Sequence, residues 1–491
     1  MLTEQTAKSV WLRHIFIIQA VAFAVGIYLI ATTIVISRDS IGFINFAKNI
    51  RQDAVGAMLK NDQHPGYPFI ICLTEKVFSS TGLDPFWSWI WSAQTVSMLC
   101  RMGTLIILYF IGRKFIGEKL TFWAVLILAC MPSGAETGSD ALGDWPHLLV
   151  LAAGMLVLIK ACQTGRPWLF GIAGLFAGIG YLIRPECVQL VAYAGLWLLI
   201  GFFRNKTAKA KILIFAAAVL LIIGFAIPAA PYMKLKGSVF PKKSLDFNVS
   251  QEVSVRHIPA STICQAAIAP KALLGAALTL CTRICESFVY FFAVFLPIGI
   301  WKRFKDSQPE DVEKFLISVF IALNIAAMIW LFCRHGYMSR RHVLPLVALM
   351  IFYVPVGIEA CSYWLGGIFS KNNQAIIAPK VWFLILVFAG LCLAMPKLLR
   401  PLGSDKAGYR QVAAWLEANT AADDVIIVPD TRISFYAKRK GVSSVEQAFN
   451  VKYMVKVSDA DDEYEKIGQK LFAADKEKSK KTRLAVYKLA M

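Results

Sequence analysis

The feature that most constrains this chain is a series of apolar runs, eleven in all, several of them long enough to cross a membrane. The first run, Ile15–Ile36, contains no charged residue and exceeds the roughly 20 residues that a helix needs to span a hydrocarbon core of about 30 Å. It is too long for a removed signal peptide and lacks the small-residue cleavage site of one. The other runs are Trp87–Ile111, Leu120–Met131, Leu142–Cys162, Trp168–Ile183, Val188–Phe203, Ile212–Met233, Ala272–Trp301, Phe315–Cys333, Val343–Ile368 and Val381–Met395. We therefore predict a mostly α-helical, polytopic membrane protein with about eleven transmembrane helices.

The positive charge of the chain lies mainly in short loops between these runs. The net charge is +20, and basic residues cluster at Arg113-Lys114, Arg204–Lys211 and Trp301–Lys305. Basic loops of this kind stay on the cytoplasmic face, and anionic membrane lipid is a sufficient partner for them. We therefore predict a multi-pass protein of the inner (plasma) membrane with a cytoplasmic N-terminus, and no nucleic-acid partner. An odd number of spans places the C-terminus outside.

The predicted organisation is a transmembrane domain over residues 1–400 followed by a soluble extracytoplasmic α/β domain over residues 401–491. Residues 37–85 form the first outer loop, in which Ile41–Lys60 has apolar residues at helical spacing. This amphipathic helix lies either in the membrane interface or against a soluble cap.

The last 90 or so residues carry dense, mixed charge and are enough for a small core of their own. Their pattern predicts two helices, Tyr409–Asn419 and Glu463–Ala474, and two strands, Val425–Val428 and Arg483–Leu489.

Several signatures of known chemistry are missing from the sequence. There is no phosphate-binding P-loop, no GxGxxG between a strand and a helix, no HExxH and no GxSxG. The eleven cysteines lie mostly inside apolar runs, without metal spacing, so we expect neither a zinc site nor a disulfide framework. ATP-driven transport and hydrolase chemistry are therefore unsupported.

The first polar candidate is Asp39, which follows the first apolar run. Ionisable residues at the membrane boundary are costly and usually serve a function. A carboxylate beside apolar surface can act as a general base. The alternative is a helix N-cap, because Ser37, Asp39 and Ser40 precede the amphipathic helix and aspartate is a favoured cap.

A second acidic group lies in the outer turn that contains Glu136 and Asp140, with Asp144 four residues further on. These acids either complement Asp39 or belong to a capped, solvated hairpin in which Asp140 or Ser139 starts the next helix. Together with His147, one turn below Asp144, they have the donor types that a divalent cation accepts. The spacing of these residues does not decide whether a cation binds there.

Arginines occupy two further outer boundaries. Arg184 ends one apolar run, next to Pro185-Glu186, and the stretch 334–342 places Arg334, Arg340 and Arg341 beside two histidines. Arginine binds phosphate oxygens well because its planar guanidinium donates in pairs. We interpret the second stretch as a phosphate clamp, the alternative being side chains that snorkel to the interface.

The order of these features resembles the GT-C membrane glycosyltransferases, in particular the group of protein O-mannosyltransferases and lipid A aminoarabinose transferases. The residues that carry the resemblance span the whole chain: Asp39, His64-Pro65-Gly66-Tyr67-Pro68, the turn around Asp140, Gly180–Glu186, Ser339–Pro345 and Tyr409–Leu416. The resemblance implies the GT-C fold and an inverting transfer of a hexose or pentose from a polyprenyl-phosphate donor. The acceptor would be a hydroxyl of a lipid, glycan or protein on the extracytoplasmic face.

The resemblance also implies roles for single residues. Asp39 would be the catalytic base, and no cofactor or metal would be required. The positions assigned to acceptor and substrate positioning are Asp140, Glu136 and Tyr67. Those assigned to donor-phosphate binding are His64, Arg38, Arg184, Arg334, Arg340 and Arg341.

Two departures from the family pattern stand out. Ser40 follows Asp39 where many relatives have Asp-Glu, which removes a helper carboxylate. The motif at His64 is one residue shorter than the His-Pro-Pro-Leu-Tyr-Pro of many relatives.

Two other functional classes remain as alternatives. A secondary transporter typically has two related halves with broken helices, a symmetry that this sequence lacks. A flippase or polymerase of lipid-linked glycans would share the arginines but would not need the acid at Asp39.

Overall fold

The apolar runs form a helical bundle in the computed structural model, which describes residues 2–238, 270–306, 310–371, 374–375, 377–443, 451–459, 468–475 and 482–489. The helices of the first half are α1 (Leu2–Ala31), α2 (Arg38–Gln52), α3 (Ala54–Lys60), α4 (Gly66–Ser79), α5 (Pro85–Ile116), α6 (Glu118–Ala129), α7 (Pro132–Ser139), α8 (Asp144–Thr164), α9 (Pro167–Tyr181), α10 (Gln189–Arg204) and α11 (Ala208–Lys236). Those that follow are α12 (Pro270–Ser287), α13 (Phe291–Asp306), α14 (Asp311–His335), α15 (Leu344–Met350), α16 (Tyr353–Ile368), α17 (Pro379–Leu398), α18 (Ala407–Asn419) and α19 (Thr431–Tyr436).

Every predicted apolar run corresponds to a helix or to a bent helix pair. Within the described ranges, seven helices are long and apolar enough to cross a membrane, and up to ten spans result if each bent pair counts as one. The bent pairs are α6 with α7 (61°), α12 with α13 (106°) and α15 with α16 (47°). The remaining apolar helix, α9, has only 15 residues. The mostly helical, multi-pass prediction is therefore confirmed.

Helix ends follow from local sequence. Ser37 caps α2 by accepting a hydrogen bond from the Ser40 backbone N–H, and Asp84 caps α5 through the N–H groups of Phe86 and Trp87. Asp53 stops the predicted amphipathic helix, because its side chain caps α3 through Gly56 N at 2.9 Å. The predicted helix Ile41–Lys60 is therefore two helices.

The apolar face of α2 is covered by protein. Ile41, Ile44 and Ala47 belong to a buried cluster that also contains Tyr67 of α4 and residues of the C-terminal domain. Of the two interpretations of the amphipathic segment, packing against a cap is the one that the structure supports.

The C-terminal region is the predicted small α/β domain. It contains α18, α19 and the strands β3 (Val425–Ile427), β4 (Lys440–Val442), β5 (Val451–Asp459), β6 (Gly468–Asp475) and β7 (Thr482–Leu489), after a small hairpin of β1 (Ser370–Lys371) and β2 (Gln374–Ala375). The sheet order is β4-β3-β5-β7-β6. β3 pairs in parallel with β4 and β5, whereas β7 pairs antiparallel with β5 and β6.

One prediction in this domain is wrong. Glu463–Ala474 was predicted to be helical, but residues 468–475 form β6, and 463–467 lie outside the described residues. β6 pairs with β7 along nearly its whole length. Cross-strand hydrogen bonds and burial of the shared face outweigh the modest helix propensity of so short a segment.

Candidate functional site

Four polar turns meet at one end of the bundle, the end that carries the C-terminal domain. They are the start of α2, the turn between α7 and α8, the turn after α9, and residues 339–343 before α15. The basic loops lie at the other end, where Lys114 bonds Gln163 and Gln163 bonds Glu310. The helical hairpins of the bundle therefore gather the predicted site residues from distant parts of the sequence.

A chain of charged side chains joins three of these turns to α2. Asp39 Oδ2 accepts from Arg341 Nη1 at 2.7 Å, and Arg341 Nε donates to Asp144 Oδ2 at 3.1 Å. The other oxygen of Asp144 lies 2.9 Å from Arg184 Nη2. The Asp144 side chain is only 2% exposed, whereas that of Asp39 is 56% exposed. The cluster therefore contains one buried carboxylate, Asp144, that pairs with both arginines, and one solvent-accessible carboxylate, Asp39.

The structure excludes one of the two interpretations of Asp39, the helix N-cap, and leaves the general base as a prediction. Ser37, and not Asp39, caps α2. Asp39 lies in the first turn of α2, where the helix dipole favours negative charge. Its carboxylate points to Arg341, so the side chain is available to a ligand in the adjoining space.

Asp140 serves mainly to hold the start of α2. Its carboxylate accepts from the Ser37 backbone N–H at 3.1 Å, from Ser40 Oγ at 2.9 Å and from its own neighbour Ala141 N at 2.8 Å. Burial raises the pKa of Asp140, and these three donors oppose the rise. Ser40, the residue that departs from the family pattern, is therefore the partner that links Asp140 to α2.

Glu136 and Arg340 form a loose pair 3.9 Å apart beside this cluster. Together with Asp140 and Arg341 they line a cavity of about 190 Å³. A second cavity, of about 160 Å³, lies on the other side of the same pair and reaches the start of the C-terminal domain. Both residues are therefore accessible from two sides.

The motif at His64 packs against the turn that follows α9. Gly66 N donates to Leu182 O at 2.6 Å, and the His64 ring meets Tyr181 at 4.9 Å and Tyr232 at 5.3 Å. His64 is 9% exposed. Its position is thus fixed by aromatic neighbours of α9 and α11, close to the turn that carries Arg184.

Two predicted site residues, Tyr67 and Arg334, lie elsewhere. Tyr67 is fully buried and its hydroxyl bonds Ala93 O at 3.0 Å and Ser97 Oγ at 2.9 Å, which places it in the scaffold. Arg334 is exposed and stacks on Trp330, with its guanidinium carbon 5.3 Å from the ring centroid. The structure therefore does not bring Tyr67 or Arg334 into the charged cluster.

Arg38 interacts electrostatically with Asp430 of the C-terminal domain. Burial raises the pKa of Asp430, but bonds from Arg432 and the charge of Arg38 lower it below its usual value. Successive residues of α2 thus interact with two different partners, Arg38 with Asp430 of the domain and Asp39 with Arg341 of the charged cluster.

The sequence analysis undervalued two members of the site. Asp144 was grouped with the acids of the outer turn and received no role of its own, although it is a carboxylate at the boundary of an apolar run, as Asp39 is. His342 accepts from Ser339 N at 3.1 Å, and burial and the charge of Arg184 lower its pKa. Among the residues that the structure describes, no group of three or more His, Cys, Asp or Glu side chains is placed to hold a metal ion.

The sequence matches the model of the dolichyl-phosphate-mannose-protein mannosyltransferase family over residues 62–229. The matched stretch includes His64, Asp140, Asp144 and Arg184 but begins after Asp39. No curated protein matches the chain by sequence.

Solved structures resemble the chain along most of its length. ArnT from Cupriavidus metallidurans bound to undecaprenyl phosphate is 12% identical, with a TM-score of 0.57 and coverage of 96% of this chain and 97% of that one. The Archaeoglobus fulgidus oligosaccharyltransferase AglB, in complex with an inhibitory peptide and a dolichol-phosphate, is 11% identical, with a TM-score of 0.55 and coverage of 91% and 69%. The apo form of that oligosaccharyltransferase is 12% identical, with a TM-score of 0.57 and the same coverage of the two chains, 91% and 69%. At 11–12% identity the likeness concerns the fold alone. The fold implied by the resemblance in the sequence is therefore confirmed. The chain is a multi-pass membrane protein with the fold of the GT-C glycosyltransferases.

Proposed function

We propose that this chain is a glycosyltransferase that moves a sugar from a polyprenyl-phosphate donor to an acceptor hydroxyl. The observation that carries the proposal is the arrangement of Asp39, Arg341, Asp144 and Arg184 at one end of a GT-C fold. Related folds have been solved with undecaprenyl phosphate and with dolichol-phosphate, lipid phosphates of the class proposed here. The sugar is a hexose or a pentose, and the acceptor is a lipid, a glycan or a protein.

The proposed reaction is a direct displacement with inversion. The acceptor oxygen attacks the anomeric carbon of the sugar from the side opposite the phosphate. The bond between that carbon and the phosphate oxygen breaks, and its electron pair leaves with the polyprenyl phosphate. Asp39 takes the proton of the acceptor hydroxyl, because it is the most exposed carboxylate of the cluster joined by Arg341.

The leaving group is already an anion, so it needs positive charge around it more than a proton. Arg184 and Arg341 are 22% and 27% exposed, and each is oriented by Asp144. Their remaining N–H groups are suited to a phosphate, which accepts paired donors from a guanidinium. Arg340 and His64 flank this pair. No cofactor enters this scheme.

Arg341 contacts both the proposed base and the buried counter-ion. Nη1 reaches Asp39 and Nε reaches Asp144. A donor phosphate that binds Arg341 competes with Asp39 for Nη1, and this competition frees a carboxylate oxygen for the acceptor proton. The proposed order is therefore donor first and acceptor second.

We place the site on the extracytoplasmic face of the inner (plasma) membrane. The support is the opposite position of the basic loops, which include Arg113, Lys114 and Lys302–Lys305, and which the positive-inside tendency assigns to the cytoplasm. The N-terminus is then cytoplasmic and the C-terminal domain is extracytoplasmic.

The test is transfer from a panel of radiolabelled polyprenyl-phosphate sugars in membranes that contain wild type or Asp39→Asn. We expect the wild type to label a new acceptor and the variant to lose about 10²–10⁴-fold in rate, the usual contribution of a general base. Asp53→Asn is the matched control, because Asp53 caps α3 outside the cluster and asparagine caps equally well.

Wild-type turnover in Asp39→Asn would remove Asp39 from the role of base. No transfer from any donor, with label crossing the bilayer equally in both proteins, would instead support a flippase or a secondary transporter.

A further inference from the structure

The segment that leads to Asp39 is held by residues from the other end of the chain. After α1 the chain runs without helix to Ser37, and its backbone N–H groups need partners. Ile34 N and Val35 N both donate to Leu402 O, at 2.9 and 3.5 Å. Gly403, with φ of +67°, brings the linker so close that an added Cβ would overlap Val35 O. The approach to the site is therefore fixed by the connection into the C-terminal domain.

The next N–H group is held by the domain itself. Ile36 N donates to the hydroxyl of Tyr436, the last residue of α19, at 3.1 Å. Tyr436 is 1% exposed, and Arg410 lies over its ring at 4.4 Å and over Trp87 at 5.1 Å. The hydroxyl is therefore held by a packed ring that has little room to move.

The following N–H group, that of Ser37, is held by Asp140. Four consecutive amides before Asp39 are thus bonded outside α1 and α2, three of them by residues beyond 401. The same region shares a hydrophobic core with the domain, since Val35, Ile36 and Ile41 pack in one cluster with Leu416 and Tyr436.

We infer that the C-terminal domain is a positioning element of the catalytic site and that the Tyr436 hydroxyl is the positioning group. This inference rests on the proposed function of Asp39. The domain fixes the height and rotation of the first turn of α2, and with them the distance from Asp39 to Arg341. Tyr436 is 1% exposed, so in this inference it acts only through the backbone at Ile36.

The physical consequence of losing the hydroxyl is specific. Tyr436→Phe keeps the packed ring but leaves the buried Ile36 N–H without an acceptor, a cost that the segment relieves by shifting. A displacement of about 1 Å at a reacting group can cost about 10²-fold in rate, and a partial shift costs less. Donor affinity depends on Arg184 and Arg341, which Asp144 orients and this segment does not hold. A weaker contact between Asp39 and Arg341 only reduces the competition for Nη1, so the KM for the donor should not rise.

The experiment compares wild type, Tyr436→Phe and Tyr453→Phe in proteoliposomes with the donor that wild type uses. Tyr453 is half-buried on β5 of the same domain and serves as the matched control. We expect a fall of about tenfold in kcat for Tyr436→Phe, with no rise in the KM for the donor. Tyr453→Phe should retain the wild-type kcat.

Amide hydrogen exchange gives a second readout that does not need turnover. We expect faster exchange over residues 32–38 in Tyr436→Phe and unchanged exchange in α18. If Tyr436→Phe does not fold, Arg410→Lys is the substitute, since it weakens the contact over the Tyr436 ring and keeps the charge.

An unchanged kcat, or equal losses of kcat, donor affinity and thermal stability in the two tyrosine variants, would overturn the inference. If wild type transfers no sugar from any donor, the proposed function fails. Unchanged exchange at residues 32–38 in Tyr436→Phe would then still refute the positioning role of the Tyr436 hydroxyl by itself.

Discussion

Replacing Asp144 by asparagine tests whether the buried carboxylate organises the two arginines. Asp144 contacts Arg184 at 2.9 Å and Arg341 at 3.1 Å, with 2% of its side chain exposed. Asparagine has the same shape and can still accept one hydrogen bond, but it removes the charge that both guanidiniums share. Arg341 then keeps Asp39 as its remaining carboxylate partner in this cluster.

The structure sets the expected size of the effect. Breaking a fully buried ion pair costs about 3–5 kcal/mol because the remaining charge is left uncompensated. The two arginines are 22% and 27% exposed, and water screens such groups, so we expect about 2 kcal/mol of lost stability. We expect kcat to fall about 10–100-fold, which corresponds to about 1.4–2.7 kcal/mol of activation free energy, because Asp144 no longer orients the two guanidiniums towards the leaving phosphate.

The sign of the effect on the donor distinguishes this reasoning from a general loss of structure. Removing one negative charge leaves the arginines more positive towards a phosphate, so the KM for the donor should not rise. The assay is steady-state transfer in proteoliposomes, combined with thermal unfolding. Asp84→Asn is the control, because this exposed residue caps α5 away from the cluster. A raised donor KM with an unchanged kcat would refute the argument.

Two further predictions concern stability. The pKa of His342 is lowered by burial and then by the charge of Arg184, so the folded protein favours the neutral ring. The contribution of the neutral ring to the free energy of unfolding is fully present above pH 6.5, the ordinary histidine pKa. It is lost as the pH falls below that value towards the lowered pKa. The melting temperature should therefore fall less between pH 8 and pH 5 in His342→Asn than in wild type. An equal fall in both proteins would contradict the role of His342 in this pH dependence. Gly403→Ala should destabilise the protein by about 1–3 kcal/mol more than Gly82→Ala in chemical denaturation, since both glycines have positive φ but an added Cβ at Gly82 meets nothing within 4 Å. Equal effects would show that the contact with Val35 is unimportant.

The sequence predicts the spans well because membrane helices are long and their apolar character needs no knowledge of neighbours. It does not predict the bends. The 106° break between α12 and α13 passes through Val289 and Tyr290, both at positive φ, a conformation that no local signal announces for such residues.

The site was predictable one residue at a time but not as a network. Asp39, Arg184 and Arg341 each stand out as charges at the ends of apolar runs. That Asp144 joins the two arginines depends on which turns the bundle brings together, which is tertiary information. Tyr436 lies about 400 positions from Ile36 in the sequence, and an aromatic residue at the end of a short soluble helix carries no signal for that contact.

The shortness of α9 has a consequence for how a lipid substrate meets the protein. Its 15 residues rise only about 22 Å, less than a hydrocarbon core of about 30 Å. With its first residue at one membrane surface, α9 would end short of the opposite headgroups, so we expect the bilayer to thin beside the turn that carries Arg184 or polar groups to fill the gap. A long-chain isoprenoid could then present its phosphate sideways from the acyl region, without lifting its tail into water.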